Sequence, residues 1–108
     1  MQNQQKNKVF ILNYIKDHNY NDAKRFGRLQ IVTKGNVNIF DVGRLKLNIK
    51  DALNVMGFKS ETDHLLISGG NIIGFALGLA LSLLGVKRCN LLLWNAKECK
   101  YFNREVSI

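Results

Sequence analysis

The residues of this chain best suited to chemistry form a glycine turn, Ser68-Gly69-Gly70-Asn71. It stands between an apolar run and an apolar helix in the stretch HLLISGGNIIGFALGLALSLLG, residues 64–85. Glycines let a ligand come close to the backbone. Amides at the start of a helix point outward along a dipole that favours an anion. The chemistry on offer is capture of a phosphate-type group rather than the making or breaking of bonds. Lys34 or Lys16 can add charge beside it. The spacing Gly69-Gly70-x-x-x-Gly74 has neither the G-x-G of a dinucleotide fingerprint nor the G-K-[ST] of a P-loop, so the turn is a site by chemistry and not by signature.

Catalysis finds less support. His18 falls in a loop. Asp63 and His64 are neighbours, so on a strand they point to opposite faces and make no dyad. Ser68 occupies a strand-to-helix turn, but Gly-x-Ser-x-Gly is absent. No nucleophile, base and orienting group can be assembled, and no residue cluster has zinc-ligand spacing. The expectation is a binding protein that is not an enzyme and uses no cofactor.

The elements that must hold the turn are readable from hydropathy. Leu65-Leu66-Ile67 and Val9-Phe10-Ile11-Leu12 are uninterrupted apolar runs, the pattern of strands covered on both faces in a parallel sheet. Arg88 to Trp94 is a third. Leu29-Gln30-Ile31-Val32 and the alternating KYFNREV at 100–106 read as edge strands, the latter returning antiparallel after the hairpin link Asn95-Ala96-Lys97-Glu98. Asn21 and Gly27 bracket a short helix. A longer helix ends near Met56, with Leu45, Ile49, Leu53 and Met56 at helical spacing, Asp41 at its start and Gly57 as its C′ residue. Ser68 or Asn71 is expected to cap the helix from Ile72 to Val86, which is apolar on all sides and therefore expected in the core.

Strands alternating with helices predict an α/β fold: a small three-layer flavodoxin- or Rossmann-like sheet of four parallel strands plus an antiparallel C-terminal edge, in the order 2-1-3-4-5. Residues 1–7 are expected to form a flexible tail and 8–108 a single domain. In such a sheet ligands sit beyond the carboxyl ends of the strands where the order reverses, here between the first and third. The residues meeting there are Asn13, Tyr14, Lys34, Asn36, Ser68, Gly69, Gly70 and Asn71.

A competing site rests on charge. The chain carries a net charge of +8 with a pI near 9.8. This balance suits nucleic acid or an anionic surface, although Lys-rich composition alone raises it too. The amino ends of the strands carry Lys8, Arg28, Lys59, Lys87 and Arg88, with Arg104 expected to join them. Such a rim would contact phosphates without reading sequence. Only Tyr101 and Phe102 are candidates for stacking a base, and one of them belongs to the core.

Length and composition limit the rest. With 108 residues, 46% of them hydrophobic and 22% charged, the chain suits one compact domain and not a disordered one. The apolar run from Ile72 is shorter than the roughly 20 residues a membrane span needs. Gly74, Gly78 and Ser82 lie four apart, a spacing that permits close backbone approach. No secretory signal opens the sequence, and Cys89 and Cys99 make no disulfide framework. A cytoplasmic protein with free thiols is expected, with no membrane partner and with room for a homodimer.

Two resemblances bear on role. The strings VTKGNVNIFDVGRL, DHLLISGG and LLLWNAKECKYF resemble small uncharacterised Rossmann-like proteins encoded by phages and mobile elements, which implies no activity. Small phage proteins are also often protein–protein inhibitors of host systems. Locally, ISGGNIIGFALGLAL is similar to the strand–glycine–glycine–helix motif of CARF-type domains. That resemblance implies a Rossmann-like dimer sensing cyclic oligonucleotides. The Thr-Lys that usually follows the glycine pair in that family is replaced here by Asn71-Ile72. The ligand expected at the turn is accordingly a nucleotide or cyclic oligonucleotide.

Overall fold

A computed structural model describes residues 7–108. Residues 1–6 of the expected tail lie outside the described residues. Five strands form one sheet: β1 (Lys8–Ile11), β2 (Arg28–Ile31), β3 (His64–Leu66), β4 (Arg88–Asn95) and β5 (Lys100–Ser107). Their order is β2-β1-β3-β4-β5. The first four are parallel, and β5 returns antiparallel with Trp94 opposite Tyr101. The expected order and directions therefore hold. The apolar runs at 9–12 and 65–66 occupy the central strands, and their side chains are buried on both faces.

The layers differ from the expected sandwich. Helices α1 (Val42–Val55) and α2 (Asn71–Leu83) pack against each other and lie on the same face of the sheet. Their Leu45, Ile49, Leu53, Ile73, Leu77 and Leu81 form the main core with Phe10, Leu12, Leu65 and Cys89. Among the described residues the other face carries only a 3-10 turn, Asn21–Arg25, whose Ala23 packs with Val9, Ile11, Leu66 and Leu92 together with Tyr20 and Tyr101. A single short turn cannot roof five strands, so the carboxyl end of β4 is left open there.

Local chemistry explains the ends of the elements. Asp41 caps α1, accepting from the Arg44 amide at 3.1 Å. At the other end Gly57 takes a positive φ of 75°, and the Lys8 ammonium donates to the Met56 carbonyl at 3.0 Å. The 3-10 turn is fixed to the edge strand by two side chains. Asp22 accepts from the Tyr101 amide at 2.6 Å, and Arg25 donates to the Tyr101 carbonyl at 2.5 Å. The Tyr101 amide, and secondly Arg25, hold the Asp22 carboxyl below its usual range. This clamp satisfies part of an otherwise open sheet edge.

Three expectations about elements are corrected. Asn21 does not cap the short helix; Tyr20 stands at its N-cap and Phe26 at its C-cap, one residue before Gly27. Helix α2 has no side-chain cap: Gly70 is its N-cap residue, and the Ser68 hydroxyl is drawn away to the Asn13 carbonyl at 2.5 Å. Nor is α2 wholly buried. No described residue packs above it, so among the described residues Phe75, Leu79 and Leu83 face outward. Among the described residues no helix is long and apolar enough to cross a membrane.

Candidate functional site

The loops at the carboxyl ends of β1, β2 and β3 are tied together by Asn13. Its side chain is 3% exposed. Its amide nitrogen donates to the Gly35 carbonyl at 2.9 Å, and its carbonyl oxygen lies 2.9 Å from the Thr33 hydroxyl. Its backbone carbonyl accepts from Ser68. Tyr14 and Lys34 form a parallel bridge in the same register, three residues beyond the last β1–β2 pair Ile11–Ile31. Gly69 lies directly on Asn13: a Cβ there would stand 2.6 Å from the amide nitrogen and 2.8 Å from the Asn13 Cβ. Asn13, Tyr14, Lys34, Ser68 and Gly69 are thereby brought together in one crown of loops, with Gly70 and Asn71 following Gly69 and Asn36 two residues beyond Lys34. Asn13 and Ser68 are committed to holding the loops together. Gly70, Asn71, Lys34 and Asn36 are exposed.

Gly70 is the point where the crown opens. Its φ of 110° and ψ of 166° lie in a region essentially reserved for glycine. A Cβ built there meets nothing within 4 Å. The first amides of α2 follow, with no side-chain cap on the helix.

Beside this turn lies a feature that the sequence reading missed. An open cleft of about 540 Å³ is lined by the loop Asp17-His18-Asn19-Tyr20, by Leu66, Ile67 and Ser68, and by Leu92, Leu93, Trp94 and Tyr101. Trp94 is 49% exposed, its ring edge-on to Tyr101 at 4.9 Å between centroids. A chain of hydroxyls forms its inner wall. Tyr20 accepts from the Ile15 amide at 3.1 Å, and its hydroxyl lies 3.3 Å from that of Ser68. Burial raises the Tyr101 hydroxyl above its ordinary value, so it stays neutral. In the sequence Trp94 ends an apolar run and is expected in the core, whereas the structure leaves it half-exposed. The available signal was its place at the carboxyl end of an inner strand, on the side that a short turn between the first two strands fails to cover.

The basic rim is only partly assembled. Lys59, Lys87 and Arg88 do line one hollow of about 670 Å³ at the amino ends of the strands, together with Glu61. Arg88, however, pairs with Glu105, and Lys8 caps α1. Arg28 is exposed at the start of β2. Arg104 is not at the rim: it stands opposite Leu91 in mid-strand, its guanidinium 6.0 Å from the centre of the Phe102 ring. The antiparallel return of β5 puts Ser107, not Arg104, opposite Arg88. Of the two proposed stacking residues, Tyr101 is core and Phe102 is half-buried.

The Asp63–His64 neighbours divide as expected for no dyad. Asp63, 2% exposed, accepts from the Lys8 amide at 2.9 Å and the Lys59 amide at 2.8 Å. His64 is buried against Phe26, and its Nδ1 has no hydrogen-bond partner among the described residues. Desolvation lowers its pKa against the opposing pull of Asp63, which keeps it neutral. Cys89 is buried and its thiol pushed up by desolvation, whereas Cys99 is exposed in the β4–β5 hairpin. No group of His, Cys, Asp or Glu among the described residues could hold a metal ion.

Comparison with known proteins gives one relation. No curated protein and no solved structure matches the chain. A family model described as "Phage Pam3 gp32-like protein" matches residues 2–108, nearly the whole sequence. On that match the chain belongs to the Phage Pam3 gp32-like family of small phage proteins.

Proposed function

We propose that this phage-family protein binds a nucleotide-class ligand at the crown, without catalysing a reaction on it. The base would lie in the cleft against Trp94, and the phosphate would meet the amides that follow Gly70. The observation that carries the reading is the half-exposed Trp94 in a cleft whose Ser68 leads directly into the open glycine turn. An aromatic face of this kind stacks bases by about 1–3 kcal/mol per base without demanding a particular one. The uncapped start of α2 favours an anion. Lys34, exposed beside the crown, supplies a positive charge.

The test is the melting temperature of the purified chain against nucleotides, cyclic oligonucleotides and short DNA and RNA strands, at low and high salt. A ligand selective for the native state raises it by mass action. The expected result is a rise with a small nucleotide that survives high salt and is lost in Trp94→Leu. Gly70→Val is a poor probe, because the positive φ of Gly70 strains any side chain whether or not a ligand binds. A rise only with polynucleotides, vanishing at high salt, would move the site to Lys59 and Lys87. No rise with any of them would leave a protein partner, such as a host system that the protein inhibits, and would refute the nucleotide reading.

A further inference from the structure

We propose that His64 is a proton-sensitive latch beneath the 3-10 turn, which lifts from the sheet when the imidazole takes up a charge. His64 is 9% exposed, and its Nδ1 has no hydrogen-bond partner among the described residues. A histidine kept for structure alone would spend that nitrogen on a neighbour. Here the ring packs instead on Phe26, with 5.3 Å between centroids. Phe26 is the C-cap residue of the turn, and the Arg25 guanidinium lies 4.3 Å from the centre of its ring. Arg25 and Asp22 clamp the same turn to Tyr101, and Tyr20 at its other end walls the cleft. One aromatic ring thus links a titratable group under the turn to the clamp that holds the turn down.

Among the described residues the surroundings offer an imidazolium no free counter-charge. On the same strand end, the Asp63 carboxylate is held by the Lys8 and Lys59 amides. From β1 the cross-strand partner is apolar Val9. From β4 it is neutral Asn90, whose amide is spent on the Asp63 carbonyl. Glu105 of β5 stands one strand further, opposite Asn90, and is paired with Arg88. The turn itself brings Asp22, Lys24 and Arg25, and Asp22 is already bound to Arg25 and to the Tyr101 amide. The Phe26 ring, which could receive a cation on its face, already carries Arg25. Desolvation accordingly depresses the His64 pKa against the pull of Asp63. The charged form is accommodated by lifting the turn, which lets water reach the ring. An imidazole that is harder to protonate closed than open favours closure fully above its ordinary pKa of about 6.5. Below that value the opening equilibrium rises by at most about tenfold per pH unit, and it levels off below the depressed pKa. The device acts whatever the cleft binds, so its test uses the chain without ligand.

Amide hydrogen exchange of the full chain, followed by NMR between about pH 7.5 and 5, reads this opening directly. Each rate is divided by that of the same amide in His64→Leu at the same pH, which cancels the intrinsic pH dependence of exchange. The Tyr101 amide, which donates to Asp22, reports on the clamp. Its ratio is expected to stay level above about pH 6.5 and to rise below it, by up to about tenfold per pH unit. The ratio for Phe10, in a central strand, should stay level throughout. His64→Gln, which also cannot take up a proton, serves as the reference if His64→Leu does not fold. His18→Gln, which removes the other histidine, should leave the rise in place. A Tyr101 ratio that stays level at every pH would overturn the proposal, as would a rise that His18→Gln abolishes. Equal rises at Tyr101 and Phe10 would also overturn it, because the proton would then unfold the whole domain instead of lifting the turn.

Discussion

Asp63→Ala is expected to lower stability by about 3 kcal/mol, from two charge-assisted hydrogen bonds lost at a buried site. Asp63 accepts the amides of Lys8, where β1 begins, and of Lys59, in the link between α1 and β3. Both bonds are short, and the carboxylate is almost wholly buried. Removing it leaves two amides without a partner where water does not readily replace the carboxylate. Lys8 would also lose part of what positions its ammonium on the end of α1. Chemical denaturation should show a lower midpoint with an unchanged slope. The corresponding fall in melting temperature is roughly 10–20 °C for a domain of this size. A loss below about 1 kcal/mol, the level of an ordinary surface change, would show that Asp63 does not staple the amino ends of the strands.

Gly69→Ala is expected to cost about 3–4 kcal/mol, combining strain at positive φ with displacement of Asn13. Gly69 has a φ of 93°, and a methyl group there would overlap the Asn13 side chain. Asn13 can yield only by breaking its bond to Gly35 and disturbing its contact with Thr33. Gly70→Ala meets open space and carries strain alone, about 1–3 kcal/mol. The two adjacent glycines should therefore differ in unfolding free energy, with Gly69 the more sensitive. An equal cost at both positions would mean that packing on Asn13 contributes nothing, and that the crown is less firmly tied than its hydrogen bonds indicate.

Much of the fold was legible because burial writes directly into sequence. The runs at 9–12 and 65–66 are apolar without alternation because helices cover one side of the sheet and the 3-10 turn the other, whereas Ile67, expected in the same strand, lies beyond its end and is exposed. Their place in the middle, with half-polar β2 and alternating β5 at the rims, gave the strand order. The stripe Leu45, Ile49, Leu53 was equally direct. What escaped was anything that depended on the absence of a neighbour. The apolar residues of α2 and the end of β4 look alike in sequence, whether a further layer covers them or not. Phe75, Leu79, Leu83 and Trp94 were thus read as core, and they are half-exposed. The caps were misread for a similar reason. Ser68 and Asn71 have the right side chains for an N-cap, but Ser68 finds a stronger partner in the Asn13 carbonyl, which sequence distance hides. Asn13, Tyr14, Lys34 and Ser68 lie at the carboxyl ends of neighbouring strands, a placement that follows from strand order alone. Which of them hold the loops and which face outward required the hydrogen bonds.

Trp94 is the single tryptophan of the chain, so its fluorescence reports on the cleft without a label. The most direct test of the central claim is a titration of that emission with AMP, GMP, ATP and a cyclic dinucleotide, with inorganic phosphate and adenosine as half-ligands. A saturable change is expected with at least one nucleotide, with weaker responses to phosphate or nucleoside alone, because base stacking and phosphate capture contribute separately. Lys34→Ala should shift the curve to higher concentration. Emission that stays constant through millimolar concentrations of every nucleotide would contradict binding in the cleft, and a rise in melting temperature with no response from Trp94 would place any ligand elsewhere on the molecule.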